Sequence, residues 1–340
     1  MKQIVGIIIL SWLLFGCSSR ETSGRLLDIG EGTPIEAHTY AYDLIMYNPL
    51  DLAVVEDKLL LFQHTGEDVV LMIDRESGKP AGRWGKRGSG PWEYTYAMYW
   101  GCDAASHSLH LYDPNQRCLR SYSWDMSGDS LSFRPEKEQR MEGEAYVLSG
   151  TVLPDRYAVA SASFFSDKPC LLLDSVLRPV VSFGGLPGQD APLTDLRTYI
   201  GSLSSYGDSF AFGMLNLGYL SFYSRSGSSV AKEWEVFLEE PAYRDGGLDT
   251  KRLKQGFISV KMTEHYIFCS YCGLVFDLDN PGAVSRHLLV FDHQGKLVRH
   301  LLLDREIGRI AVSEDESTVY AVAYEPDICI VRYFVGDLLK

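Results

Sequence analysis

Short apolar runs of four to six residues, separated by turn-forming residues, recur along almost the whole chain, and no long helical periodicity interrupts them. The clearest instance is residues 69–94, VVLMIDRESGKPAGRWGKRGSGPWEY. Val69 to Ile73 is apolar and rich in β-branched side chains, which suits a buried strand. Asp74, Arg75, Glu76, Ser77 and Gly78 supply a turn in which an Asp can bond its own backbone and Gly can take positive φ. Lys79 to Trp84 reads as the returning strand, and a glycine-rich crossing follows. With preceding runs near 52–55 and 59–62, this makes a unit of four strands.

The same unit recurs in degraded form. A polar turn between the presumed first and second strands falls at Asp57, Ala105, Asp155, Gly207, Glu264 and Asp315, at intervals of 48 to 57 residues. A second turn, after the third strand, repeats in phase at 74–78, 125–128, 174–177, 224–227 and 292–295. The sixth unit ends one strand short. Four-stranded units bury both faces only against neighbours, so six of them are expected to close into an all-β, six-bladed β-propeller over residues 35–340. The missing strand of the last blade is expected from 35–44, which would remove an exposed edge. A pair of β-sandwiches is the competing architecture, but it leaves the regular spacing unexplained.

The crossing Gly85-Lys86-Arg87-Gly88-Ser89-Gly90-Pro91-Trp92-Glu93-Tyr94 is similar to the "GxGPGEF"-like segment of TolB-like, six-bladed propeller lipoproteins of the Bacteroidota, themselves similar to NHL-repeat propellers. Trp92 stands where that segment usually has Gly, and residues 183–188 carry a weaker echo. The resemblance implies the fold. It implies no single activity, because propellers host enzymes and binding proteins alike.

Ahead of the repeats, one cation, Lys2, precedes an apolar run from Ile4 to Phe15, which suits a signal sequence and is too short to span a bilayer. Leu14-Phe15-Gly16-Cys17 resembles the lipobox of bacterial lipoproteins. That resemblance implies cleavage of residues 1–16 and lipidation of Cys17, with palmitate-type acyl chains that would anchor the chain stably to a membrane. Ser18 favours the outer membrane, on its periplasmic face or the cell surface. Residues 17–34 are polar and glycine-bearing and read as a flexible tether. A net charge of −13 argues against nucleic acid as a partner.

Local chemistry is sparse. Gly85, Gly88 and Gly90 precede no helix, so they do not form a phosphate loop. No GxSxG, HExxH or Walker pattern is present, and no catalytic residue, metal ligand or cofactor is expected. Cys269 and Cys272 lie three apart in a strand-like run and so point to opposite faces. With Cys102, Cys118, Cys170 and Cys329 they are expected to be reduced and buried. Residues 277–282 offer oxygen groups of the kind calcium prefers, and 136–144 and 239–254 read as charged, solvated loops.

The innermost strands are expected to begin near Asn48, Tyr96, Tyr146, Tyr199, Phe257 and Arg309. Together with Arg87, Trp92, Tyr94 and Arg197 these positions would ring one mouth of the channel with aromatic rings and guanidinium groups. Such a surface suits a protein or glycan ligand. The expected function is therefore a membrane-anchored, non-catalytic binding or scaffold module. A metal-dependent, lactonase-like hydrolase or lyase with its site on the axis is the competing reading, and a purely structural envelope component is a third.

Overall fold

The computed structural model describes residues 24–340 apart from 42–43, 144–145, 163–167, 187–197 and 277–283. Three short strands come first: β1 (Arg25–Leu26), β2 (Thr33–Ile35) and β3 (His38–Ala41). The first repeat is β4 (Pro49–Val55), β5 (Lys58–Gln63), β6 (Asp68–Asp74) and β7 (Pro80–Lys86). The second is β8 (Met98–Asp103), β9 (Ser108–Asp113), β10 (Cys118–Ser127) and β11 (Ser130–Arg140). The third is β12 (Val147–Val152), β13 (Ala158–Ala162), β14 (Cys170–Leu173) and β15 (Pro179–Phe183), and the fourth β16 (Gly201–Tyr206), β17 (Ser209–Met214), β18 (Tyr219–Ser226) and β19 (Ser229–Phe237). A hairpin of β20 (Tyr243–Arg244) and β21 (Gly247–Leu248) leads to β22 (Phe257–Met262), β23 (Tyr266–Tyr271), β24 (Ser285–Asp292), β25 (Leu297–Val312), β26 (Thr318–Ala323) and β27 (Cys329–Phe334).

Each of the first four repeats is a separate antiparallel blade, with β1 added in parallel to the edge strand β19 of the fourth. The remainder differs from the expected pair of separate four-stranded units. It is one continuous eight-stranded sheet, because β25 runs unbroken for 16 residues, through Asp304 and Gly308, and serves both halves. Its first half pairs with β24 and its second half, from Ile307, with β26. The strand expected within 35–44 is β3, which pairs antiparallel with β27.

Innermost strands touch in a closed cycle, β4 to β8 to β12 to β16 to β22 to β25 and back to β4. Matched levels meet along it: Val260 N donates to Ser202 Oγ and Met262 N to Ser204 Oγ, while Thr151 and Ser205 share a hydroxyl contact of 2.6 Å. These strands therefore run in one direction around an axis, the arrangement of a β-propeller, and two side-by-side sandwiches are excluded. The side where they begin, called the entry face below, also carries the connections from second to third strands and from each blade to the next.

The core is split into clusters, each pressed between facing sheets. Ala53, Leu60 and Val70 of the first blade meet Leu109, Leu111 and Trp124 of the second, and Tyr40 and Ala41 of β3 meet Leu59, Leu71 and Tyr320. Polar contacts lock the seams on the opposite face. Trp124 Nε1 donates to Glu56 at 3.2 Å, Trp234 Nε1 to His293 O at 2.9 Å, and Arg75 pairs with Glu314 at 3.0 Å.

The expected tether of 17–34 is docked from residue 24 onward. Leu27 N donates to Phe237 O, β2 pairs in parallel with β25, and Leu27 and Ile29 pack on the core. Leu27 and Ile29, two apart in RLLDIG, give this segment something to bury, which its polar composition concealed. The charged run 136–144 is likewise strand rather than loop as far as Arg140, because Glu138 pairs inward with the buried Arg120 at 2.8 Å.

Candidate functional site

The glycine-rich crossing after β7 is a built structure. Gly85 takes φ +74 and Trp92 φ +60, a backbone conformation that Gly adopts freely and a tryptophan does not. Glu93 folds back so that its carboxylate accepts Gly90 N at 2.9 Å, and its carbonyl accepts Arg120 Nη1 at 2.7 Å. Arg120 is fully buried and lies over the Tyr94 ring at 4.8 Å. This scaffold sets where Arg87 leaves β7 and where Tyr96 enters β8. Asp113 fixes the second point, since its carboxylate accepts Thr95 N at 2.7 Å and Tyr96 N at 3.2 Å.

At the entry face these supports gather a small polar cluster. Arg87 donates through Nη2 to Gln63 O, and Tyr47 N donates to Gln63 Oε1 at 2.8 Å. The His64 ring meets the Tyr96 ring edge-on at 4.8 Å. Burial raises the Tyr96 hydroxyl above its ordinary range, while the Arg309 and Arg87 guanidiniums act on it in the opposite sense and Tyr146 adds to the rise. Arg309 in turn donates to Ile258 O across the seam from β22. Arg87, Tyr146 and Arg309, all expected from the sequence, thus each act electrostatically on the Tyr96 hydroxyl at the entry face. Gln63, His64 and Tyr47 join them, and no sequence signal marked them, because they sit at connections adjoining β4 and β5 whose polarity reads as ordinary loop.

Deeper on the axis a second cluster crosses the ring. Lys261 of β22 reaches past β25 to Asp51 of β4 at 2.7 Å, and its ammonium lies 4.8 Å from the centre of the Tyr99 ring on β8. Tyr99 donates to Cys102 Sγ at 3.2 Å, and burial raises both the phenol and the thiol. The sequence signal available for this cluster was a single charge inside each of two apolar inner strands, LDLAVV and FISVKM.

Other expected mouth residues lie elsewhere. Tyr94 is fully buried, its hydroxyl 2.7 Å from that of Tyr122, because the crossing turns its ring into the blade seam. Trp92 packs edge-on against Tyr122 at 5.5 Å in the same cluster. Phe257 is completely buried between the fourth and fifth repeats, where a bulge beside Ser259 turns it into the core. Tyr199 is half-buried against the core of the third and fourth blades. Arg197, Cys17 and residues 277–282 lie outside the described residues. The six described cysteines are free thiols, and among the described residues no three His, Cys, Asp or Glu side chains are grouped to hold a metal.

The class that this geometry defines is the β-propeller. Solved structures agree: an exported protein of Bacteroides fragilis superimposes with a TM-score of 0.60 at 12% identity, over 91% of this chain and 97% of that one. The β-propeller domain of Cps50 (Swd1) from Myceliophteria thermophila superimposes with a TM-score of 0.50 at 11% identity, over 88% and 99%. At such identities the likeness is one of fold alone. No protein-family model matches the sequence, and no curated protein matches it.

Proposed function

We propose that this chain is a lipid-anchored, six-bladed propeller of the bacterial envelope, a TolB-like or NHL-like lipoprotein, that binds a protein or glycan at its entry-face mouth without catalysing a reaction. The observation that carries the binding reading is the contact chain at the entry face, in which Arg87 bonds Gln63 O and the adjacent His64 ring meets Tyr96, while Arg309 and Tyr146 from two further repeats act on the same Tyr96 hydroxyl. Support for six blades comes from β25, which serves two antiparallel quartets, and from the closed cycle of innermost strands. An envelope location is supported by the lipobox-like Leu14-Phe15-Gly16-Cys17, and the Bacteroides fragilis neighbour is itself described as exported.

The docked segment from residue 24 limits how far a lipid on Cys17 would stand from the ring. Cys17 stands seven residues before Gly24, so at most about 25 Å of extended chain joins the lipid to the edge of the fourth blade.

The test is capture from an envelope extract by the immobilised chain and by a Tyr96→Ala/Arg309→Ala variant with an unchanged melting temperature. A species retained by the first and lost by the second is expected. Equal retention by both refutes the mouth as the binding site.

A further inference from the structure

The mouth is unusually one-sided in its hydrogen-bonding chemistry. Among the described residues, ten buried side-chain nitrogen or oxygen atoms lack a partner, and three of them, Gln63 Nε2, His64 Nδ1 and Arg87 Nε, belong to this one cluster. Gln63 is completely buried, so its amide lies beneath the mouth, where its Oε1 holds Tyr47 N at 2.8 Å and its carbonyl holds Arg87. Gln63 Nε2 and Arg87 Nε are obligate donors, and His64 Nδ1 can donate in either its cationic form or one neutral tautomer. Leaving a buried donor unmet costs about 1–3 kcal/mol, and the three together make the floor beneath the mouth electropositive.

Charge leads to the same conclusion. The chain carries −13 overall, yet Arg87 and Arg309 form no ion pair with a carboxylate among the described residues and bond instead to the carbonyls of Gln63 and Ile258. Asp113 is the acid nearest to Arg87 in electrostatic terms, and its carboxylate is already occupied by the 95–96 and 115–116 amides. A donor-rich, acceptor-poor mouth on an acidic protein is complementary to an anion with acceptor oxygens.

The surroundings choose the kind of anion. Exposed aliphatic and aromatic side chains stand on the connections of the same face: Ile45 (68% exposed), Tyr47, Tyr146, the run Leu274-Val275-Phe276, and Ile328. Sugar stacking uses flat aromatic faces, whereas aliphatic side chains standing free suit the apolar side chains of a polypeptide. Resting on the mouth reading above, we infer that the ligand is an acidic peptide segment of a partner protein, with an Asp, Glu or C-terminal carboxylate seated on the partly exposed Arg87 and Arg309, and flanking apolar side chains on Tyr47, Tyr146 and Leu274 to Phe276. Guanidinium–carboxylate pairing supplies the direction and the aliphatic rim supplies area.

The experiment pans a displayed random-peptide library against the whole soluble chain from residue 24. Enriched peptides are then resynthesised as acid and amide pairs (Asp→Asn, Glu→Gln), and their binding is measured by calorimetry to wild type, Arg87→Gln/Arg309→Gln, Gln63→Met and Tyr96→Ala, each checked for an unchanged melting temperature. A uronate-oligosaccharide array is probed in parallel. Enriched peptides should carry a carboxylate beside apolar residues. Their affinity should fall about tenfold or more in the amide form and in the double variant, the loss expected for one charge-assisted hydrogen bond, and should weaken in high salt. Enrichment of neutral peptides whose binding is lost in Tyr96→Ala overturns the anionic ligand and leaves the mouth as the site. Peptides or sugars bound equally by every variant overturn both. Uronate binding lost in the double variant, with no peptide enriched, overturns the peptide and assigns an acidic glycan, as failure to enrich any ligand also overturns the peptide.

Discussion

Removing one partner of the cross-axis pair Lys261–Asp51 should destabilise the ring more than removing both. At 2.7 Å and an effective dielectric of about 20, the attraction is about 6 kcal/mol before solvation is considered. Desolvating the two groups takes several kcal/mol back, although less than in a sealed core, because the side chains keep 14% and 24% of their exposure to the channel. Asp51→Asn preserves shape and can still accept Leu52 N, so its effect isolates the unpaired ammonium, at about 2–3 kcal/mol. Lys261→Met keeps the aliphatic stem but leaves Asp51 unpaired and removes the cation–π contact with Tyr99, with a similar cost. The double variant contains no unpaired charge and should lose only about 1 kcal/mol, giving a coupling of about 3–5 kcal/mol. Calorimetric melting should read singles about 4–6 °C below wild type and the double about 2 °C below. Additive losses in the double, or singles indistinguishable from wild type, would refute a structural ion pair on the axis.

Three further outcomes are expected. A chain beginning at residue 44 lacks β3, which bares the edge of β27 and removes the buried Tyr40 with its 2.6 Å bond to Asp74 O; it should aggregate or melt well below a chain beginning at residue 24, and equal melting would show that β3 closes nothing. Burial pushes the Cys118 thiol up to about 11 and Cys170 higher still, so at pH 8 only about one Cys118 in a thousand is thiolate; native protein should resist alkylation until denatured, and rapid native labelling at Cys118 or Cys170 would contradict the packing. Bonds from Ser77 lower the Asp74 carboxyl from 3.8 to about 2 in the fold, so its contribution is present above the ordinary value and lost as pH falls toward 2; Asp74→Asn should flatten that limb of a stability-against-pH curve, and an unchanged limb would show that the turn does not hold the charge.

Strand positions were legible to within a few residues. The runs near 52–55, 59–62, 69–73 and 81–84 became β4 to β7 because alternation and turn chemistry act within one repeat, over neighbours that the chain itself brings together. Aromatic residues at strand starts were less legible. Tyr96 and Tyr146 lie on the entry-face connections, yet Phe257 went into a seam, since a one-residue bulge reverses the face that a side chain takes, and the crossing turned Tyr94 into a blade interface. The docking of residues 24–35 escaped notice because its partners, the edges of β19 and β25, lie more than two hundred residues away.

By itself, then, the sequence determined the repeating strand-and-turn unit, the acidic surface and the lipobox-like N-terminus, all properties that one stretch of chain carries without reference to any other. Only the tertiary structure decided that Lys261 answers Asp51, that Gln63, His64 and Arg87 stand together with unspent donors, and that Arg309 joins them. These residues are brought together by closure of the ring, and closure depends on the summed burial of every blade face rather than on any local preference.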